Sequence, residues 1–252
     1  MIKLSKISTK APENITKEQA KAKLSVMAKE IGELLQIMYA EKKHSVLIVL
    51  QGMDSSGKDG SVKKVFAKSS PVNINVKSFK KPSDIEFAHD FLWRCHQLAP
   101  AKGHLQIFVR SHYEDILIQR VQKWITPKRV SNRMKAINAF EELLKEDNNT
   151  TVLKFYLHLS KERQLEKLKE RIEVPEKNWK HKDGDWEQRK KWDDYMKAYE
   201  YAINKSSIPW TIVPVDSRWY RNYFIAKEIL RTLKKMKMQL PGLDSELFPQ
   251  KK

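Results

Sequence analysis

The stretch that decides the fold is Ser45-Val-Leu-Ile-Val-Leu-Gln-Gly-Met-Asp-Ser-Ser-Gly-Lys-Asp-Gly60. Its first part, Ser45–Gln51, is a nearly unbroken aliphatic run, which is typical of a strand covered on both faces. The second part carries Gly52, Gly57 and Lys58 in the spacing of a phosphate loop, and a helical pattern begins within it. A strand, a glycine-rich loop and a helix in this order predict a site where backbone N–H groups face a phosphate.

Most positions of this loop are candidates for phosphate contact. The residues that we assign to phosphate binding are Gly52, Ser55, Ser56, Gly57, Lys58, Asp59 and Gly60. Asp59 stands where a Ser or Thr hydroxyl ordinarily holds magnesium. We therefore take Asp54 as the metal ligand, since Mg²⁺ prefers carboxylate oxygens and is shared with substrate phosphates. The alternative for Asp54 is a turn residue that hydrogen-bonds its own backbone.

Further apolar runs predict four more strands, at Val72–Ser78, Leu105–Arg110, Thr151–Ser160 and Trp210–Val215. Apolar spacing near 3.6 predicts helices at about 16–42, 60–69, 84–98, 113–125, 129–146, 161–172 and 218–238. The helices lie between the strands, so we expect an α/β fold with a five-stranded parallel sheet and right-handed crossovers. No linker rich in Gly, Pro or Ser divides the chain, and one domain over residues 1–252 is the simplest reading.

Residues 173–184 interrupt this pattern with Pro175, Gly184 and many polar side chains. We interpret them as a lid insert, with an ordinary helix connection as the alternative.

A second polar cluster follows the third predicted strand, in Phe108-Val-Arg-Ser-His-Tyr-Glu-Asp115. Ligands of open parallel sheets bind at the carboxyl ends of the strands. Arg110 is therefore expected to face the same phosphates as Lys58 and to stabilise charge during transfer, with a surface salt bridge as its alternative role.

The composition is strongly basic, with 49 Lys and Arg against 31 Asp and Glu and a net charge of +18. Such a field attracts polyanions, among them nucleic acid, anionic membrane and polyphosphate, although a solvated surface without a partner is also compatible. No run approaches the roughly 20 apolar residues of a membrane span. The single cysteine, Cys95, and the absence of a secretory segment predict a cytoplasmic protein. The seven histidines lack metal-ligand spacing, which disfavours zinc.

Five motifs in order resemble the polyphosphate kinase 2 family, between about Ser45 and Leu230. They are Gly52-x-Asp54-x-x-Gly57-Lys58-x-Gly60, His89-Asp-Phe-Leu-Trp-Arg94, Arg110-Ser-His-Tyr-Glu114, Trp192-Asp-Asp-Tyr195 and Trp219-Tyr-Arg-Asn222. The resemblance implies a thymidylate-kinase-like, three-layer P-loop fold with a helical lid. It also implies Mg²⁺, reversible phosphate transfer between inorganic polyphosphate and AMP or ADP, and a homo-oligomer of two or four chains. Adenine nucleotides are the expected acceptors, and guanine nucleotides are left open.

Carried onto this chain, the resemblance assigns catalytic roles to Asp54, Lys58, Arg110, Glu114 and Arg171. Glu114 favours the class that accepts both AMP and ADP. Val109 departs from the family pattern, which usually has Asp or Asn at this position.

We further hypothesise that several basic residues bind the polyphosphate chain, while an ordinary exposed charge is the alternative for each. They are Lys63, Lys64, Arg120 and Lys123 on the helices, and Lys180, which closes over the site from the lid together with Arg171. Trp179 and Trp186 are candidates for stacking on a base or for plain packing.

Two rival functions remain. An ATP-dependent nucleotide kinase of the same fold would share Lys58 and Arg110, but Asp59 and the +18 charge argue against it. A basic nucleic-acid-binding protein with a regulatory nucleotide in the loop is disfavoured, since no nucleic-acid module is recognisable.

Overall fold

Five strands form a single parallel sheet. Their bounds are β1 Ser45–Gln51, β2 Ile74–Ser78, β3 Leu105–Val109, β4 Thr150–His158 and β5 Trp210–Pro214. The order across the sheet is β2-β3-β1-β4-β5, and every neighbouring pair is parallel. This computed structural model, which describes residues 1–245 and 247, confirms the predicted α/β fold with a five-stranded parallel sheet. The remaining residues of the 1–252 domain assignment lie outside the described part of the chain.

Ten α-helices surround the sheet within residues 1–245. They are α1 Lys17–Glu41, α2 Lys58–Val65, α3 Asp84–Ala88, α4 Trp93–His96, α5 Glu114–Val121, α6 Pro127–Asn148, α7 Lys161–Glu173, α8 Asp183–Lys190, α9 Trp192–Lys205 and α10 Arg218–Lys235. Two 3₁₀ turns lie at Leu4–Lys6 and Pro175–Lys180. The expected lid segment therefore contains a 3₁₀ turn and the start of α8.

Local sequence sets several helix ends. Thr16 and Gln19 form a reciprocal capping box at the start of α1, and Thr126 caps α6 just before Pro127. Asn149 ends α6 in the left-handed region, with φ 52°.

The predicted helix over 84–98 was wrong as one element, because it is broken into α3 and α4. The Asp90 carboxylate accepts a hydrogen bond from the backbone N–H of Leu92, at 2.9 Å, between the two helices. This local bond offers the backbone an alternative to the helical ladder.

The sheet has a helical layer on each face, and β1 shows how its residues divide between them. Val46, Ile48 and Leu50 pack in the cluster that includes residues of α1 and α10, whereas Leu47 and Val49 pack in the cluster built with α5, α6 and α9. Because both faces of β1 are covered, the whole strand is buried. No helix within residues 1–245 is long and apolar enough to cross a bilayer.

Candidate active site

The candidate site lies at the carboxyl ends of β1 and β3, which pair along their length. The loop after β1 supplies Asp54, and Arg110 follows β3 directly. The guanidinium Nη2 of Arg110 donates to the Asp54 carboxylate at 2.5 Å. Lys58 begins α2 and Glu114 begins α5, so the adjacent strand ends place all four side chains in one electrostatic cluster.

The phosphate loop has an unusual backbone. Ser55 and Gly57 have φ values of 70° and 92°, in the left-handed region that side chains disfavour. The Lys58 amine donates to the carbonyl oxygens of Gly52, at 2.8 Å, and Met53, at 3.2 Å. The hydroxyl of Ser56 is buried and makes no hydrogen bond to another described residue. A buried donor without a partner is costly, and a phosphate oxygen would satisfy it.

The charges around Asp54 hold its carboxylate ionised. Burial alone raises the pKa of Asp54, but the nearby cations Lys58 and Arg110 outweigh burial and bring the pKa below its usual value. Burial also lowers the pKa of Lys58, with Asp54 acting in the opposite direction. Asp54 and Lys58 therefore form a partly desolvated pair of opposite charges, whose side chains can rearrange when an anion binds.

Glu114 behaves differently from Asp54. Burial raises its pKa, although the neighbouring cations Arg110 and Lys58 act against this rise. The pKa of Arg110 is itself raised, because the attraction of Asp54 and Glu114 exceeds the opposing effect of burial. Arg110 also has a φ of 59°, which is uncommon for a residue with a side chain. The turn after β3 thus holds this guanidinium toward Asp54 at a cost in backbone strain.

Arg171 joins the loop to the segment that we interpret as a lid. Its Nη2 donates to the Ser55 hydroxyl at 2.8 Å, and its Nη1 donates to the carbonyl oxygen of Lys180 at 3.1 Å and pairs with Asp185 on α8. Burial, followed by the negative charge of Asp54, raises the pKa of Asp185. One arginine therefore links the phosphate loop, the 3₁₀ turn and α8. The role of this segment as a mobile lid stays a prediction.

A buried polar network includes two of the residues that follow Arg110 in the sequence, His112 and Tyr113. The Lys154 amine on β4 donates to the Glu141 carboxylate at 2.5 Å and to the Tyr113 hydroxyl at 2.7 Å. The other carboxylate oxygen of Glu141 lies 3.2 Å from Nε2 of His112. All four side chains have 0% exposure. This network, which we call the β4–α6 network, fixes His112 and Tyr113 between Arg110 and Glu114.

The basic residues assigned to polyphosphate lie in α2, at the end of α5 and in the 3₁₀ turn of the expected lid. Lys63 and Lys64 are exposed in the last turn of α2, at the opposite end of the helix from the loop. Arg120 and Lys123 instead line a cavity of about 620 Å³, where the Arg120 guanidinium stacks over the ring of Tyr201. Lys180 is exposed, and its amine lies over the ring of Trp179.

The cavity combines cations with an aromatic wall. Neither Arg120 nor Lys123 forms an ion pair within the described chain, and Nη1 of Arg120 is buried without a hydrogen-bond partner there. Trp124, which is 67% exposed, also lines the cavity. The cavity can therefore accept an anion without displacing an internal carboxylate.

Three residues near the loop were missed as site residues. The Gln164 amide donates to the Asp54 carbonyl oxygen at 3.1 Å, Asp185 pairs with Arg171, and Arg221 donates to the Ser56 carbonyl oxygen at 3.2 Å. Their sequence distances from the loop left no local pattern to detect. Arg221 lies in Trp219-Tyr-Arg-Asn222, one of the five motifs that resemble the family, and that membership could have identified it as a site residue.

The side chains present fit a magnesium ion that is shared with substrate. Asp54 uses Oδ1 to accept from Arg110, and Oδ2 has no hydrogen-bond partner in the described residues. Those residues contain no cluster of three or more His, Cys, Asp or Glu that could hold a metal alone. Mg²⁺ commonly takes one or two carboxylates and completes its shell with phosphates and water. Val109 is 5% exposed and packs in the apolar cluster, so it supplies no ligand.

Comparisons with known proteins agree with this geometry. A sequence model of the polyphosphate kinase 2 family matches residues 14–241. The chain is 43% identical over 228 residues to an AMP/ADP-polyphosphate phosphotransferase of Meiothermus ruber, covering 89% of this chain and 85% of that protein. It is 36% identical over 241 residues to an ADP-polyphosphate phosphotransferase of Rhodopseudomonas palustris, with 90% and 83% covered.

A solved structure leads to the same family. The fold superposes on the crystal structure of polyphosphate kinase 2 from Arthrobacter aurescens with a TM-score of 0.94 and 35% identity, covering 97% of this chain and 89% of that one. The phosphate loop, the parallel sheet and the similarity along most of the chain confirm both the expected enzyme class and the expected family. This chain belongs to the polyphosphate kinase 2 family of phosphotransferases.

Proposed function

We propose that this enzyme transfers the terminal phosphoryl group of inorganic polyphosphate to AMP and to ADP, and that it also runs the reverse reaction. The observation that carries the proposal is the contact of Arg110 with Asp54 beside Lys58. It places two cations and one carboxylate at a loop whose backbone suits phosphate. The names of the similar phosphotransferases support the donor and the acceptors.

The chemistry needs alignment and charge neutralisation more than a base. The acceptor oxygen belongs to an ionised nucleotide phosphate, so it attacks without losing a proton to the protein. A new P–O bond forms to the terminal phosphorus of polyphosphate. The bond from that phosphorus to its bridging oxygen breaks, and the shortened chain leaves with the electron pair.

Each group in the cluster has a separate task in this transfer. Lys58 exchanges its two loop carbonyls for phosphate oxygens, and the buried Ser56 hydroxyl donates to the same anion. Arg110 donates paired hydrogen bonds to the phosphoryl group during its transfer. Asp54 would hold Mg²⁺, which neutralises charge on the phosphates when bound. Arg171 excludes water by joining the loop to the lid segment.

Glu114 is the proposed selector between AMP and ADP. Its carboxyl group belongs to the charge cluster of Arg110 and Lys58, where an extra acceptor phosphate would alter the local charge balance. Replacing Glu114 with Asn should therefore change the ratio of kcat/KM for AMP to that for ADP. An unchanged ratio in a folded variant would remove Glu114 from this role.

The basic cavity at Arg120 and Lys123 is the proposed path for the distal polyphosphate chain. Its two cations have no carboxylate partners in the described chain, so the negative charge of a long polyanion complements them. The exposed Lys63 and Lys64 then act by long-range attraction, since they lie at the far end of α2.

We also propose a cytoplasmic homo-oligomer of two or four chains. The single cysteine supports a reducing compartment. The resemblance to the family supports an oligomer, and light scattering after gel filtration measures its size. A monomer at working concentration would contradict this assignment.

The first experiment is turnover without ATP. The purified chain is incubated with polyphosphate, Mg²⁺ and either AMP or ADP, and the nucleotides are separated by chromatography. ATP formed from AMP supports the full proposal, and product from ADP alone limits it to one acceptor. No product with either would favour the ATP-dependent kinase. Lys58→Ala should abolish turnover, whereas the exposed Lys29→Ala serves as the matched control.

A further inference from the structure

Arg221 is a buried cation pressed against the phosphate loop. It lies in the first turn of α10 and is 5% exposed. Its Nη1 donates to the carbonyl oxygen of Ser56 at 3.2 Å, while Nε and Nη2 donate to the side-chain oxygen of Asn222 at 3.1 and 3.0 Å. The guanidinium therefore contacts the backbone of the loop, whose amides are the groups that would face a bound phosphate.

The guanidinium also occupies the space that a side chain at Gly57 would need. A Cβ atom built on Gly57 would lie 1.7 Å from Nη1 and 2.5 Å from Cζ of Arg221. A Cβ on Gly60 would lie 3.2 Å from Nη2. Glycine at position 57 thus serves two purposes, since it adopts a φ of 92° and admits the arginine. The loop and Arg221 are packed as one unit.

The charge of Arg221 has no counter-ion within the described chain. Its three hydrogen bonds go to a carbonyl and an amide, and none goes to a carboxylate. Burial, and then the positive charge of Arg218, lower the pKa of Arg221 to about 10. A buried charge without an opposite partner is unfavourable. An anion bound in the loop would supply the missing negative charge.

We infer that Arg221 is a positioning residue for phosphate binding, which holds the loop through Ser56 and adds positive charge from behind it. This role rests on the proposed function only in that the loop binds a phosphate chain. Arg221 acts through the loop backbone and through its field. Its charge favours the bound phosphate in the ground state and the transition state alike, so it changes KM more than kcat.

The test compares Arg221→Gln and Arg221→Lys with the parent chain. We expect Arg221→Gln to raise the KM for polyphosphate by about tenfold or more, with kcat within about threefold, as removal of one nearby charge implies. Arg221→Lys keeps the charge and should recover most of the lost affinity. The matched control is Arg218→Gln. Arg218 is an exposed arginine in the same turn of α10, and it pairs with Glu170 and not with the loop.

A purely structural role predicts a different pattern. Both Arg221 variants would then melt earlier and lose active enzyme, with KM unchanged, and Lys would not rescue Gln. That pattern, or a KM within twofold of the parent in Arg221→Gln, overturns the inference.

Binding of inorganic triphosphate, followed by calorimetry without nucleotide, separates this inference from the proposed reaction. Weaker binding to Arg221→Gln than to the parent supports the inference even if the parent shows no turnover. Equal binding to both overturns it even if the parent is an active polyphosphate kinase.

Discussion

The β4–α6 network makes a quantitative prediction about stability. Glu141→Gln removes the negative charge that faces Lys154 and His112, while all three side chains stay at 0% exposure. Breaking a buried ion pair on one side costs about 3–5 kcal/mol, because the remaining charge is left desolvated. For a domain of this size, about 2–4 °C of Tm is lost per kcal/mol. The variant should therefore melt roughly 6–20 °C below the parent.

The assay is urea unfolding followed by circular dichroism, with thermal melts as a second readout. Glu142→Gln is the matched control, because the Glu142 side chain is 43% exposed and its carboxylate lies 4.0 Å from the amine of the exposed Lys145. The double variant Glu141→Leu with Lys154→Met removes both charges, and it should recover much of the loss. A loss below about 1 kcal/mol for Glu141→Gln, equal to that of an exposed pair, would refute the reasoning.

The same residue predicts a pH dependence with a defined sign. Burial raises the pKa of Glu141, but the hydrogen bond from His112 and the charge of Lys154 lower it below its usual value overall. A carboxyl group with a lowered folded pKa stabilises the protein above its unfolded pKa, and the stabilisation is lost as the pH falls through the folded pKa. The parent should lose this contribution progressively as the pH falls below 4.5, the ordinary pKa of a Glu carboxyl group. Glu141→Gln should lack that part of the acid sensitivity.

Three further outcomes follow from the site. Arg110→Gly and Arg110→Ala should both abolish turnover. The glycine variant should be more stable than the alanine variant by about 1 kcal/mol, since glycine adopts a φ of 59° freely, and equal unfolding midpoints would contradict this. Gly57→Ala should abolish polyphosphate binding, because the Cβ of the new alanine meets the Arg221 guanidinium. Adding Arg221→Ala should relieve that clash only in part, and full activity in Gly57→Ala alone would contradict the loop geometry. The KM for polyphosphate should rise steeply with salt, and Arg120→Gln with Lys123→Gln should flatten that dependence; an unchanged slope would exclude the cavity from the path.

The parallel sheet and the phosphate loop could be predicted from the sequence, because each depends on a local sequence pattern. The apolar run at Val46–Leu50 predicts a strand covered on both faces, and the glycine spacing that follows it predicts the phosphate loop. Arg110 follows the third strand directly, so parallel pairing alone brings it to the same sheet edge as Asp54. Their shared position at this sheet edge is therefore predictable from the sequence.

Other features depend on contacts that no local pattern encodes. Arg221 and Gly57 are far apart in sequence, and the fit between them appears only after α10 packs behind the loop. The split between α3 and α4 depends on a side-chain hydrogen bond of Asp90 that competes with helix formation. The stacking of Arg120 on Tyr201 beside the cavity likewise depends on the packing of α5 against α9.

The lone thiol of this chain gives experimenters a reporter that needs no engineering. Cys95 is fully buried, and burial is the main cause that raises its pKa to about 12, so the native thiol is both shielded and unreactive. Any alkylation must pass through an opening of the layer that contains α4 and α6. The rate at which an alkylating reagent labels the native protein therefore times that opening, and a ligand that tightens this layer should slow the labelling.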